Sequence, residues 1–391
     1  MGNSYSRISP PGQRESALTV TGNYSRQTDN QEPEGLLAEN VFHSMLTLER
    51  RRAERSGKPF VLMLLDANLE TGVAEGILRQ AVEILVASKR ETDLVGWYKR
   101  GAIVGVIFAE VNLGENAPIA DVLRDKVETV FVKHLGRDRA AKIAISVHLF
   151  PEGWDKDGSG WVADSKLYPD LKRKNSRKRL PLVIKRAIDI VGSGALLLVL
   201  SPFLLVIMAF IKLTSKGPII YKQERLGQFG ERFHCLKFRT MYANNDPKIH
   251  QEYVQQFIAG KEGLDNSNGD KQPVYKLVKD PRVTLIGSFL RKTSMDELPQ
   301  FWNVLRGDMS LVGPRPPVPY EFEVYDIWHR RRVLEVRPGV TGLWQVSGRN
   351  RTRFDEMVRL DLRYSQNWSI WLDLKILLAT PWAVLNGGGA C

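Results

Sequence analysis

The chain has 391 residues, enough for two or three domains, and carries 56 Lys and Arg against 44 Asp and Glu, a net charge of +12. At 43% hydrophobic and 26% charged it is neither disordered throughout nor a multi-span membrane protein. Its two cysteines, Cys235 and Cys391, exclude a disulfide framework, fit no zinc-ligand spacing and point to a reducing, cytosol-facing compartment.

Residues 1–35, rich in Ser, Gln, Asn, Pro and Gly, read as a disordered leader without the apolar core of a signal peptide. From 36 to 150 the charges nearly balance, 16 basic against 15 acidic. From 171 to 391 they do not, 35 against 20, which calls for an anionic partner such as nucleic acid, lipid head groups or a phosphorylated substrate.

Between 36 and 150 helical and strand periods alternate. A helix over Glu39 to Arg55 precedes a buried strand Phe60 to Asp66, a helix Ile77 to Lys89, strands at Leu94 to Tyr98 and Ile103 to Ala109, a helix Ile119 to Leu135 and a strand Ile143 to Phe150. The last six form a β-α-β-β-α-β order, the split ferredoxin-like arrangement. With Phe60-Val61-Leu62-Met63-Leu64-Leu65-Asp66 and Arg90-Glu91-Thr92-Asp93, this order resembles the nucleotide-cyclase-like fold of GGDEF domains. The signature hairpin is replaced by Lys99-Arg100-Gly101-Ala102, which lacks the carboxylates needed for two-metal phosphoryl chemistry. Regulation, dimerisation or a plain spacer remain open roles for this degenerate domain.

Residues 151–182 read as a linker ending in the basic run Lys172, Arg173, Lys174, Arg177, Lys178 and Arg179, suited to anionic head groups or to solvent. Next, Ile190 to Ile211 runs 22 residues without a charge, about 33 Å as a helix and long enough for a bilayer core. Ser201-Pro202 interrupts it, and basic residues flank both ends: Lys185 and Arg186 before, Lys212, Lys216 and Lys222 after. Both ends therefore favour the cytoplasmic side, and a re-entrant hairpin of two half-helices hinged at Ser201-Pro202 meets that demand, with Ser201 partnering a freed backbone group. A kinked spanning helix and a buried core helix are the other readings.

Downstream come Lys237-Phe238-Arg239-Thr240-Met241, Asp280-Pro281-Arg282-Val283-Thr284, Arg291-Lys292-Thr293-Ser294-Met295-Asp296-Glu297-Leu298-Pro299-Gln300, Gly313-Pro314-Arg315-Pro316, and Arg337-Pro338-Gly339 running to Gly348-Arg349. Arg offers forked donors to phosphate oxygens, while Gly and Pro fix turns that bring backbone amides to an anion. No Walker P-loop, no dinucleotide fingerprint and no His-Glu-x-x-His is present. Asp296 and Glu297 are the candidate catalytic carboxylates, one attacking while the other binds a cation, provided the pair starts a helix, as Pro299 suggests. By themselves they could equally cap that helix, with Ser294 and Glu297 as a capping box.

From about Lys185 to the end the chain resembles the bacterial sugar transferase family, the monotopic polyprenyl-phosphate phosphoglycosyl transferases. The matching pieces are Lys185-Arg186-Ala187-Ile188-Asp189, Ser201-Pro202, Lys237 to Met241, Asp296 to Gln300, Gly313 to Pro316, and Arg337-Pro338-Gly339 with Thr341-Gly342. The resemblance implies transfer of a hexose 1-phosphate from a UDP-sugar to undecaprenyl phosphate, releasing UMP, for exopolysaccharide, capsule or O-antigen synthesis. It implies Asp296 as nucleophile and Glu297 as a Mg²⁺ ligand. Lys237, Arg239, Arg282, Arg291, Arg315, Arg337 and Arg349 are the candidates to hold substrate phosphates, the alternative for any one arginine being a structural carboxylate such as Asp280. The resemblance also implies an inner-membrane enzyme with its catalytic domain facing the cytoplasm, in contact with membrane lipids, and by analogy with larger relatives a homodimer and a galactose or glucose donor. Trp368, Trp371 and Trp382 among apolar residues suggest a last helix lying in the interface, or an ordinary amphipathic core helix.

The expected fold is thus α/β. A ferredoxin-like, nucleotide-cyclase-like α+β domain (36–150) and a basic linker (151–182) precede a re-entrant membrane helix hairpin (183–214) and a mostly helical monotopic catalytic domain (215–391). A catalytically inactive membrane-bound nucleotide-sensing adaptor is the alternative, against which the intact Asp296-Glu297 pair speaks. Nucleic acid is not an expected partner, because no stacking aromatics accompany the basic run.

Overall fold

The computed structural model describes residues 35–67, 71–109, 111, 119–153, 163–171, 179–242, 258, 282–347 and 353–386. The N-terminal part follows the expected order closely. Helix α1 (Glu39–Ser56) is followed by β1 (Phe60–Ala67), α2 (Thr71–Ser88), β2 (Leu94–Lys99), β3 (Ile103–Phe108), α3 (Ile119–Leu135), the short α4 (Arg137–Ala140) and β4 (Ile143–Phe150). The sheet order is β2-β3-β1-β4 with every pairing antiparallel, which is the split β-α-β topology.

The central strand β1 alternates its side chains between two cores, as a strand covered on both faces must. Met63 and Leu65 face α2 and α3 through Leu78, Val82 and Phe131, whereas Leu62 and Leu64 face α1 through Phe42 and Leu46. The facing pair Gly96 and Gly105 on β2 and β3 makes room for Phe42, since a Cβ on either would lie 2.7 Å or less from its ring.

The linker is not a solvated tether in its described part. Leu167 and Tyr168 are buried in one apolar cluster with Phe42 and Phe150 of the sheet domain and with Phe322, Tyr325, Trp344 and Phe354 of the C-terminal domain. Polar contacts reinforce the junction: Tyr98 Oη–H donates to the Lys166 carbonyl at 2.9 Å, Ala163 N–H to the Phe229 carbonyl at 2.9 Å, and Arg50 pairs with Asp170. Apolar side chains at 167, 168 and 171 cost less buried between domains than exposed, which overrides the Gly and Pro punctuation. The basic run at 172–178 lies outside the described residues.

Helix α5 (Arg179–Thr214) is 36 residues long and starts ahead of the expected boundary at 183. Only 11% of its most apolar stretch is buried, which rules out a soluble core helix. It continues as one helix through Pro202 where the sequence suggested two half-helices. The proline leaves the Leu198 carbonyl without its usual donor, and the Ser201 hydroxyl donates to that oxygen at 2.7 Å, so the break is repaired locally.

The base of α5 is bolted to the domain that follows. Lys185 Nζ donates to Asp373 at 2.7 Å and to the Val312 carbonyl, Arg186 donates to the Val304 and Leu305 carbonyls, and buried Asp189 accepts from Ser310 Oγ and Leu311 N at 3.0 Å each. The Lys-Arg-x-x-Asp opening is therefore structural, and these two cations are committed to protein partners rather than to lipid. Towards the other end of the helix, Ile207 and Ile211 pack on Phe238 and Leu290. Among the described residues the C-terminal domain is built from short elements on these anchors, mostly helical with two two-stranded sheets.

Candidate active site

Strands β5 (Ile220–Leu226) and β6 (Arg232–Phe238) form an antiparallel hairpin that carries Lys237 near its end. Just beyond, Met241 bridges Val283, and Thr284 N–H donates to the Thr240 carbonyl at 3.0 Å, so the motif around Arg239 lies against the one containing Arg282. Helix α6 (Leu285–Lys292) starts there, capped by the Thr284 hydroxyl accepting from Gly287 N–H at 2.9 Å. A Cβ at Gly287 would lie 2.0 Å from the Thr240 carbonyl oxygen, so only glycine lets the helix sit this close. Arg291, one turn on, donates from Nε to Thr240 Oγ1 at 3.0 Å.

After α6 the chain turns sharply at Ser294, held at φ 57°, into a single 3-10 turn (Met295–Glu297) and then α7 (Gln300–Arg306). Asp296 and Glu297 thus sit on a tight turn ahead of the helix, not in its first turn as expected. The capping-box alternative fails here: Ser294 makes no side-chain cap, and the Glu297 carboxylate instead takes the Lys237 ammonium at 2.8 Å. Met295 and Leu298, flanking the pair, pack into the apolar cluster of Ile207, Ile211, Phe238 and Leu290. The carboxylates are therefore tied to the end of α5.

Asn303 was not legible as a site residue, yet it fixes the turn's geometry. Its amide donates to the His234 carbonyl at 2.8 Å and to Asp308 at 3.0 Å, and its oxygen accepts from Leu236 N–H at 2.9 Å, locking α7 to β6. Between them lies Cys235, a buried thiol pushed up by burial, on which the charges of Arg225, Lys237, Glu297 and Arg315 all act.

Arg315 is placed by backbone. Strand β7 (Ser310–Val312) runs parallel to β8 (Gly339–Thr341), with Gly313 N–H donating to the Thr341 carbonyl and Gly339 N–H to the Pro314 carbonyl. The Arg315 carbonyl accepts from Arg332 at 3.3 Å, and Arg332 is itself held by Asp361 at 2.6 Å, both buried. Burial pushes the Asp361 carboxyl up to about 6, against the pull of Arg332. Arg225 donates to the Pro316 carbonyl, completing the frame.

The nominated cations do not all converge. Lys237 pairs with Glu297, Arg291 donates to Thr240, Arg239 donates to Ser215, and the Arg282 carbonyl accepts from Tyr242 N–H. Arg337 lines a different cavity of about 870 Å³ with Arg179, Tyr168, Gln228 and Glu335. Arg349 lies outside the described residues. Trp368 is buried, donating to Asp373 at 3.1 Å, and so belongs to the core; Trp371 and Trp382 on α12 (Ile370–Asn386) are exposed.

A match to the bacterial sugar transferase model covers residues 180–387, more than half of the chain, and the protein belongs to that family. Among its curated relatives, an undecaprenyl-phosphate galactose phosphotransferase of Salmonella typhimurium is 44% identical over 221 residues, 56% of this chain and 44% of that protein. An exopolysaccharide production protein ExoY of Sinorhizobium fredii is 43% identical over 53% of this chain and 88% of its own length. The chain spans about half the length of several of the curated relatives it matches. Over the N-terminal part, a DGC protein from Thermotoga maritima aligns at 18% identity over 30% of this chain and 83% of its own, with a TM-score of 0.25. That likeness carries no argument, and the N-terminal fold rests on its own strand order.

Proposed function

We propose that the protein is an initiating phosphoglycosyl transferase that moves a hexose 1-phosphate from a UDP-sugar to undecaprenyl phosphate at the cytoplasmic face of the inner membrane. The observation that carries this reading is the Lys237–Glu297 pair beside Asp296, on a turn packed against the exposed apolar helix of a bacterial sugar transferase domain. An Asp296 oxygen attacks the sugar-bearing phosphorus, the bond to the UMP oxygen breaks with its electron pair leaving on UMP, and the lipid phosphate oxygen then displaces Asp296. Lys237, paired with Glu297 next to Asp296, can offset the charge of nucleophile and diphosphate.

Mg²⁺ suits this donor set. Among the described residues no group of three or more His, Cys, Asp and Glu side chains gathers, and Mg²⁺ commonly takes one or two carboxylates with substrate phosphates and waters. Glu297, with Asp296 beside it, would hold the ion, which when bound neutralises phosphate charge. The Lys237 ammonium orients the Glu297 carboxylate for that task.

The membrane placement is supported by an apolar surface continuous in character around α5. Leu285 is 92% exposed and Phe289 lies one turn on, Trp302 projects from α7, and Leu378 and Trp382 of α12 are 80% and 71% exposed. Residues near both ends of α5 pack on the one C-terminal domain, which supports a course with both ends on the same face of the membrane and the single helix bent at Pro202. The test is UMP release from UDP-galactose and UDP-glucose by detergent-solubilised protein with undecaprenyl phosphate and Mg²⁺. Lipid-dependent UMP, abolished in Asp296→Asn, is the expected result; no UMP from any donor with folded protein would transfer support to a non-catalytic adaptor.

A further inference from the structure

Arg239 is 6% exposed, yet its polar atoms are not all used. One nitrogen, Nη2, donates to the Ser215 carbonyl at 2.8 Å and to Ser215 Oγ at 2.7 Å. Nε and Nη1 are buried without a hydrogen-bond partner, and no carboxylate among the described residues pairs with the guanidinium. A guanidinium has five donors, and a buried cation with unmet donors is costly, so an acceptor of negative charge is missing from this place.

Its position says what kind. Ser215 directly follows the last residue of α5, so Arg239 caps the C-terminal end of the apolar helix, where a cation complements the helix dipole. Capping occupies one nitrogen only. The neighbouring Phe238 packs on Ile207 and Ile211 of that helix, and Lys237, two residues back, holds Glu297. Arg239 therefore joins the C-terminal end of the apolar helix to the strand whose Lys237 holds Glu297. A phosphate attached to a lipid would lie at that depth, whereas a soluble nucleotide would reach the carboxylates from the aqueous side.

We propose that Arg239 is the seat of the acceptor lipid's phosphate, with Nε and Nη1 donating to its oxygens, and that it acts in the second half of the reaction. This rests on the transfer reading above. The test separates the two half-reactions in Arg239→Gln, Arg239→Lys and Ser215→Ala, each checked for folding by thermal shift. Wild-type protein with UDP-galactose or UDP-glucose alone gives a burst of about one UMP per enzyme. Both Arg239 variants are expected to keep that burst while the KM for undecaprenyl phosphate rises roughly 10- to 100-fold, the loss expected for charge-assisted hydrogen bonds. Ser215→Ala, which leaves the two buried donors in place, is expected to stay within about threefold of wild type. Arg239→Lys keeps a cation at the helix end and so guards against a mere folding defect.

A raised UDP-sugar KM with a lost burst would place Arg239 in the donor site and overturn the proposal. Equal lipid defects in Ser215→Ala and Arg239→Gln would make it a helix cap and nothing more. Flotation of wild type and Arg239→Gln with phosphatidylglycerol vesicles distinguishes an ordinary lipid headgroup: loss of flotation in parallel with the kinetic loss would overturn the acceptor assignment. Absence of any UMP burst in wild type would instead remove the transfer reading itself.

Discussion

Lys237 Nζ lies 2.8 Å from Glu297 Oε1, joining the last turn of a hairpin strand to the carboxylate pair across sixty residues of sequence. Both side chains are largely shielded, at 16% and 24% exposure, so the contact is stronger than a surface pair. Lys237→Met is expected to lower UMP turnover by roughly 100-fold, in the range for removing one preorganised electrostatic group. Glu297→Gln in the same background should add little, because the two act as a unit. Steady-state UMP assays of the single and double variants decide it; additive losses would mean that the pair is not coupled.

The parallel contact of β7 and β8 tolerates no side chain at Gly339. A Cβ there would lie 2.0 Å from Gly313 N and 2.6 Å from the Thr341 carbonyl oxygen. Gly339→Ala should force the strands apart and destabilise by about 3 kcal/mol or more, since backbone atoms cannot yield as a side chain can. Chemical denaturation reads this directly, and a midpoint equal to wild type would refute the packing.

Arg332 and Asp361 form a buried pair whose value lies in placement rather than in net stability. Removing one partner strands a buried charge, and Arg332→Met is expected to cost about 3–5 kcal/mol. The double replacement Arg332→Met with Asp361→Leu should recover most of that stability. It should not recover activity, because Arg332 also holds the Arg315 carbonyl. Denaturation curves and UMP assays on the same samples separate the two effects.

His329 gives the fold an acid limit. Its Nδ1 accepts from Asp326 N–H at 3.2 Å while Nε2 faces Asp355 at 3.0 Å, an arrangement that the neutral ring satisfies. Burial lowers its pKa below the ordinary value, with Asp355 and Asp326 pulling the other way. The unfolded chain therefore binds this proton more readily than the folded one, so stability is full above about pH 6.5 and falls as the pH drops through the lowered folded value. Melting temperature should decline on acidification below about pH 6.5, and His329→Gln should flatten that decline. An identical slope in the variant would assign the effect elsewhere.

A re-entrant course predicts one-sided labelling. Cysteines introduced at Arg179 and at Lys216, in a background carrying Cys235→Ala and Cys391→Ala, should both react with a membrane-impermeant maleimide from the cytoplasmic side of inverted vesicles. Pro202→Ala restores the helix hydrogen bond to Leu198 and should straighten α5, moving one of the two sites out of reach. Labelling of the Arg179 and Lys216 positions from opposite sides in the unaltered helix would establish a spanning helix.

Much of this was readable from the chain alone. Period-2 and period-3.6 patterning located the four strands and three long helices from Glu39 to Phe150, because each buries a continuous face and its sequence must repeat accordingly; it placed the start of α2 six residues late and missed the short α4. The apolar run located the long apolar helix, and the order of the motifs pointed to the family that the match bears out. Even the role of Ser201 followed from what a proline removes.

What the sequence could not determine depends on partners distant in the chain. Lys185 and Arg186 read as flanking charges that favour the cytoplasmic side, and only the folded chain supplied Asp373 and the carbonyls of α7 as their acceptors. Trp368 read as interfacial until Asp373 took its indole N–H. Asn303, Arg332 and Asp361 carry no local signal, since a buried polar residue is recognisable only once its hydrogen-bond partner is in place. The separation of Arg337 from Lys237 and Arg315, and the two unmet donors of Arg239, are likewise tertiary facts. Residue type fixes how many hydrogen bonds and charges a side chain must satisfy, and only the fold decides which of them a neighbour meets and which are left for a ligand.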